Sequence, residues 1–142
     1  GVAIDQGLRS LGPALSAGRI RHLAIANPAF APYGQRAAQA LTGAGLLPAF
    51  RDRLVLGENV GQALQFMLSG AADAGVVSDA LVHDPAIAGQ LAVAVLPATT
   101  HAPLRQRLVL MQRAGPVARR FAAYVTGPHG RTILASHGFD LP

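Results

Sequence analysis

Apolar residues fall along this chain in short continuous blocks, and the blocks alternate with stretches where apolar positions recur every three or four residues. A continuous block bounded by turn residues reads as a strand buried on both faces. Five such blocks predict strands at Arg21–Ala26, Leu54–Leu56, Asp73–Val77, Ala92–Leu96 and Arg107–Met111. The helical spacings lie between them. Ala37 and Leu41 begin a stripe that Leu46 and Leu47 extend, which predicts a helix over Tyr33–Thr42 ended by Gly43 and Gly45. Ala63, Leu64, Met67 and Leu68 predict a helix over Val60–Ser69, closed by Gly70. Val117, Phe121 and Val125 share a face of a helix over Val117–Val125, entered through Pro116. Shorter helical pieces are expected at Gly12–Ala17, Pro48–Arg53 and His129–Ser136, with a loop or short helix over Ser78–His83 and Phe139 left to pack. Gly1–Ser10 shows no clear first strand and no initiating Met, so a processed or truncated N-terminus is expected.

Strands alternating with helices through short loops predict an α/β fold, a mainly parallel sheet with helices on both faces. Thr99–Leu104 reads as a linker that divides two packing units.

Composition narrows the function classes. The chain has 142 residues, 51% of them hydrophobic and 13% charged, which suits one globular domain with an aliphatic core. All basic residues are Arg and the formal net charge is +5. The arginines are scattered singly or in pairs without interleaved aromatics, so they read as a solvated surface and no nucleic-acid partner is expected. Absence of Cys excludes disulfides and thiolate metal sites. No apolar run is long enough to span a bilayer.

Catalytic signals are lacking. Asp5, Asp52, Glu58, Asp73, Asp79, Asp84 and Asp140 form no fixed acid–base pair, and Asp73 reads as a turn residue. The five His show no metal-binding spacing, and no nucleophile-elbow, P-loop or dinucleotide motif occurs. An enzyme is therefore not expected. What remains is a set of loops joining strand ends to helix starts. Pro32-Tyr33-Gly34 offers the N–H groups of Tyr33, Gly34 and Gln35; Glu58-Asn59-Val60-Gly61 follows the second strand; Val77-Ser78-Asp79 follows the third. Loops of this kind gather at one carboxyl edge of a doubly wound sheet, where free N–H groups and helix dipoles favour an anion. Asn59 either caps its helix or lines that place, and Tyr33 either packs or donates its hydroxyl.

Three runs are more specific: IANPAFAPYGQRAAQAL, LVLGENVGQALQFMLSGAADAGVV and YVTGPHGRTILASHGF. In order and spacing they resemble the periplasmic molybdate-binding proteins of ABC importers, from roughly Arg19 to Phe139. The resemblance implies a type II periplasmic-binding-protein fold of two α/β lobes joined by crossing strands, with molybdate or tungstate in the cleft. It implies no further cofactor, a membrane permease as partner, and a periplasmic location. Residues 19–98 would be the second lobe, complete; residues 1–18 and 99–142 would be the hinge crossing and the remaining part of the first lobe. Carried over residue by residue, the ligand contacts fall on the Tyr33 hydroxyl and the Val60 N–H, with Gly34 and Asn59 beside them. Ser78 stands where some members have Tyr. About the first third of a full-length member has no counterpart here, so one wall of the cleft is expected to be absent.

Two other readings stay open. One is a binding protein for sulfate or an organic acid, although no Arg lies in the three loops to clamp a carboxylate. The other is an interaction module that dimerises through apolar surface left by the incomplete first lobe.

Overall fold

The computed structural model describes residues 4, 8–87 and 89–139; Asp5 and Asp140 lie outside them. Its order of elements is α1 (Leu11–Ser16), β1 (Leu23–Ala26), α2 (Pro32–Gly43), α3 (Leu47–Phe50), a 3-10 turn at Arg51–Arg53 and β2 (Leu54–Gly57). Then come α4 (Val60–Leu68), β3 (Ala74–Val76), α5 (Asp79–Val82), a second 3-10 turn at Ala98–Thr100, α6 (Pro116–Thr126) and α7 (Pro128–Ser136). The chain divides into two compact units, Gly1–Leu104 and Arg105–Pro142.

The first unit is built on a three-stranded parallel sheet in the order β2-β1-β3. Leu23, Ala24, Ile25 and Ala26 of β1 stand opposite Leu54, Val55, Leu56 and Gly57 of β2, and Leu23–Ile25 stand opposite Ala74–Val76 of β3. A central strand needs apolar residues on both faces, and all four β1 residues are at most 1% exposed. Strand alternation sorts them. Leu23 and Ile25 pack with Ala14, Ile20, Ala37, Ala40, Leu41 and Phe50 on the face covered by α1, α2 and α3. Ala24 packs with Ala63, Ala72 and Met67 on the face covered by α4. Ala24 is small because α4 lies close, and a side chain at neighbouring Gly75 would meet the Met67 sulfur at 2.6 Å.

Asp73 closes the amino end of the sheet. Its carboxylate accepts the N–H groups of Arg21 (2.8 Å) and His22 (3.0 Å), while its own N–H donates to the His22 carbonyl (3.1 Å). These bonds occupy the backbone of Arg21 and His22, so β1 begins at Leu23 rather than at the expected Arg21. Gly45 and Gly70, beyond the ends of α2 and α4, take φ of 70° and 75°, the left-handed turn that lets a helix stop abruptly.

Two expected strands are not formed. Ala92–Leu96 and Arg107–Met111 belong to no strand ladder. A strand exists only where a neighbour supplies carbonyl and N–H partners, and none lies beside them among the described residues. Their apolar side chains stay open accordingly, with Val93 52%, Val95 57%, Val109 76% and Met111 73% exposed. The second unit is an α6–α7 pair turned at Gly127, which ends one helix and precedes the other. The face of α6 that carries Val117 and Phe121 is open: Val117 is 71% and Phe121 61% exposed, and the buried residue is Ala122. No described helix is long and apolar enough to cross a membrane.

Candidate functional site

Because the three strands are parallel and in register, the loops that follow them leave from one edge of the sheet. The chain departs from β1 toward the face covered by α2 and from β2 toward the face covered by α4. Adjacent strands whose exits go to opposite faces leave a crevice between their carboxyl ends, the place where open α/β sheets take ligands. The Tyr33–Gly34 turn and the Asn59–Val60 turn are the two sides of this crevice. Ser78 follows β3 on the far side of β1, about 10 Å from the end of β2 by the usual strand spacing.

Asn27 fixes the first side. Its N–H donates to the Gly57 carbonyl (2.7 Å) and so ends the β1–β2 ladder. Its side-chain oxygen accepts the Ala29 N–H (3.0 Å) and its carbonyl accepts the Ala31 N–H (2.9 Å), which folds residues 27–31 into a tight turn. α2 then starts with Pro32 in its first turn after an extended Ala31, with no side-chain cap. The Tyr33 and Gly34 amides therefore lie in the uncapped first turn at the positive end of a twelve-residue helix. Gly34 is required by closeness: a Cβ there would sit 2.0 Å from the Ala26 carbonyl oxygen. That contact presses the start of α2 onto the end of β1. Tyr33 is half-buried.

The second side is held by a side-chain exchange. Asn59, the cap residue of α4, accepts the Gln62 N–H through its side chain (2.9 Å), and Gln62 accepts the Glu58 N–H through its own (2.6 Å). The Asn59 side chain is thus engaged in capping. The Val60 N–H stays without a partner among the described residues. Gly57 is again tight, since a Cβ would meet the Ala63 nitrogen at 2.8 Å.

Ser78 is 8% exposed, and its hydroxyl does not cap α5. No Arg lies in the three loops; Arg36 of α2 donates to Gln39 (3.1 Å), whose oxygen also accepts the Ala102 N–H (3.1 Å). Among the described residues no group of His, Asp or Glu could hold a metal ion. The chemistry available is that of neutral N–H and O–H donors at helix starts, which suits a small anion and not a cation. A separate groove of about 250 Å³ runs beside Ala40, Gly43, Ala44, Thr99 and Thr100. It borders the last turns of α2, about 15 Å along the helix from Tyr33, and takes no part in the crevice.

Asn27 and Gln62, which shape these turns, are not among the residues singled out from the sequence. The Asn27-Pro28 pair and the Asn59/Gln62 spacing were the available signals, since each places a side-chain acceptor within reach of a turn or helix-start N–H.

Known proteins share this fold. A molybdate-binding protein of Azotobacter vinelandii is 34% identical over 133 residues, covering 92% of this chain and 52% of the relative. One of Haemophilus influenzae is 30% identical, over 84% of this chain and 46% of the relative. The chain thus spans about half the length of these curated relatives. The solved periplasmic molybdate-binding protein of Azotobacter vinelandii superposes with a TM-score of 0.81 at 32% identity, covering 100% of this chain and 61% of that one. The substrate-binding domain of a molybdenum transporter of Clostridium difficile shares the fold, with a TM-score of 0.68 at 20% identity, over 92% of this chain and 57% of that one. Residues 5–140 match the family described as bacterial extracellular solute-binding protein, and the chain belongs to that family.

Proposed function

We propose that this chain carries half of a binding site for a tetrahedral oxyanion, molybdate or tungstate, in an extracytoplasmic protein that hands its ligand to an ABC importer. The observation that carries this reading is the crevice between β1 and β2, where two helix starts converge and no charged side chain of the loops is needed. A dianion there accepts the Val60 N–H and the Tyr33 hydroxyl, with the α2 and α4 dipoles oriented favourably. Gly34 brings α2 close enough, Asn59 holds the start of α4, and Ser78 offers a hydroxyl from the third loop. The role is binding and not catalysis, and the ligand is the only small molecule required. The partners are the oxyanion and a membrane permease, and the compartment is the periplasm. Similarity to the Azotobacter and Haemophilus proteins supports the choice of anion.

Calorimetric titration of molybdate, tungstate and sulfate into the purified chain tests the reading. Saturable heats are expected for molybdate and tungstate, reduced severalfold in Tyr33→Phe. Uptake of sulfate alone would reject the choice of anion. A second reading, association of copies through residues 107–125, is favoured by the exposure of Val109, Met111, Val117 and Phe121.

A further inference from the structure

At the start of α4 the structure engages two backbone N–H groups internally. Glu58 N–H is taken by the Gln62 side-chain oxygen at 2.6 Å, and Gln62 N–H is taken by the Asn59 side-chain oxygen at 2.9 Å. The N–H groups of Val60 and Gly61, which lie between, have no partner among the described residues. Gln62 therefore spans the turn from the third residue of the helix back to the residue before the cap. The reach fixes the extended cap backbone at Asn59, φ −147° and ψ 174°, which in turn sets where the Val60 N–H points. The turn has little slack. A Cβ at Gly61 would lie 3.2 Å from the Asn59 side-chain oxygen, and one at Gly57 would lie 2.9 Å from the Asn59 carbonyl. Gln62 is itself exposed and contributes to neither apolar core.

We infer that Gln62 is a positioning residue of the oxyanion site: by holding the Glu58 N–H it closes the turn so that the Val60 N–H faces the crevice. This rests on the oxyanion reading given above. Gln62 acts through Val60 and does not touch the ligand.

Three variants test it: Gln62→Ala, Gln62→Glu and, as a control on the same helix outside the cap, Gln65→Ala. Amide hydrogen exchange is measured first, without ligand. Gln62→Ala is expected to speed exchange at Glu58 by roughly tenfold, the factor for losing one hydrogen bond of ordinary strength. Gln62→Glu keeps an acceptor at the same reach and is expected to restore protection. Calorimetry with molybdate is measured next. Gln62→Ala is expected to weaken binding about fivefold or more, with tungstate weakened by the same factor, while Gln65→Ala binds as the unaltered chain does. Unchanged exchange at Glu58 in Gln62→Ala, failure of Gln62→Glu to restore it, or unchanged molybdate affinity in Gln62→Ala would each overturn the inference. An unaltered chain that is folded and gives no molybdate heat rejects the oxyanion reading instead, and the exchange data then still decide whether Gln62 holds the turn.

Discussion

At the scale of single residues, this fold depends on where a Cβ is missing. Gly34 is the sharpest case, because its α-carbon faces the Ala26 carbonyl with no room for one more atom. Gly34→Ala would force α2 off the end of β1, an overpacking expected to cost about 3 kcal/mol. Urea unfolding of the variant measures this, and a loss below about 1 kcal/mol would show that α2 can shift without penalty. Glycine at this position was visible in the sequence only as part of an A-P-Y-G loop. Nothing in the loop's own composition says that the strand carbonyl lies above it, because that closeness arises from the packing of a helix against a strand end. Tyr33 and Val60 could be singled out because a helix start is a local pattern. Gln62 carries a weaker signal, its place three residues after a capping Asn, and only the fold turns its side chain back to the Glu58 N–H.

Between elements, one carboxylate joins the first and third strands. Asp73 accepts the His22 and Arg21 amides, and the Arg21 guanidinium lies 3.7 Å away. The His22 and Arg21 backbone bonds, with the charges of Arg21 and His22, hold its carboxyl below the ordinary value of 3.8, against a smaller opposing effect of burial. A carboxyl depressed in the folded state adds stability above its unfolded pKa, and the addition is lost as pH falls through the folded value. Asp73→Asn is therefore expected to destabilise most at neutral pH, by about 1–2 kcal/mol for hydrogen bonds to a partly exposed charge. The difference from the unaltered chain should close as pH falls below the ordinary carboxylate value. Thermal unfolding at several pH values reads this directly, and a gap constant down to strong acid would exclude the carboxylate as its source. From sequence alone Asp73 reads as a turn residue, because its partners Arg21 and His22 are 52 and 51 positions away. Strands β1, β2 and β3 were legible as apolar blocks with helices between them. Ala92–Leu96 and Arg107–Met111 carry equally good blocks, yet a block states only that a strand would be buried and not that a neighbour is present to pair with it.

For the whole molecule, charge and apolar exposure are unevenly shared between the two units. In residues 1–104, Arg9, Arg19, Arg21, Arg36, Arg51 and Arg53 balance Asp5, Asp52, Glu58, Asp73, Asp79 and Asp84. The net +5 therefore resides in residues 105–142, where six Arg oppose Asp140 alone. The same segment exposes Leu108, Val109, Leu110, Met111, Val117, Phe121 and Tyr124. Copies meeting through this surface would gain apolar burial and meet like charge. Association is accordingly expected to strengthen with added salt, which screens the arginines and leaves the apolar term in place. Sedimentation velocity at low and high ionic strength measures it. A mass that falls with salt would mean that ion pairs hold the copies, and a monomer throughout would remove the association reading.

The strand order has a consequence in time. β1 is the middle of the sheet but the first of its strands to be made, and Ala74 follows Leu23 by 51 residues. At roughly 5–20 residues per second, a ribosome needs about 3–10 s to supply the third strand after the first. Through that interval one edge of β1, apolar on both faces, has no strand to pair with. The nascent chain thus carries an apolar strand edge unpaired for seconds, and holding factors that meet it would find Leu23–Ala26 exposed before β3 is made.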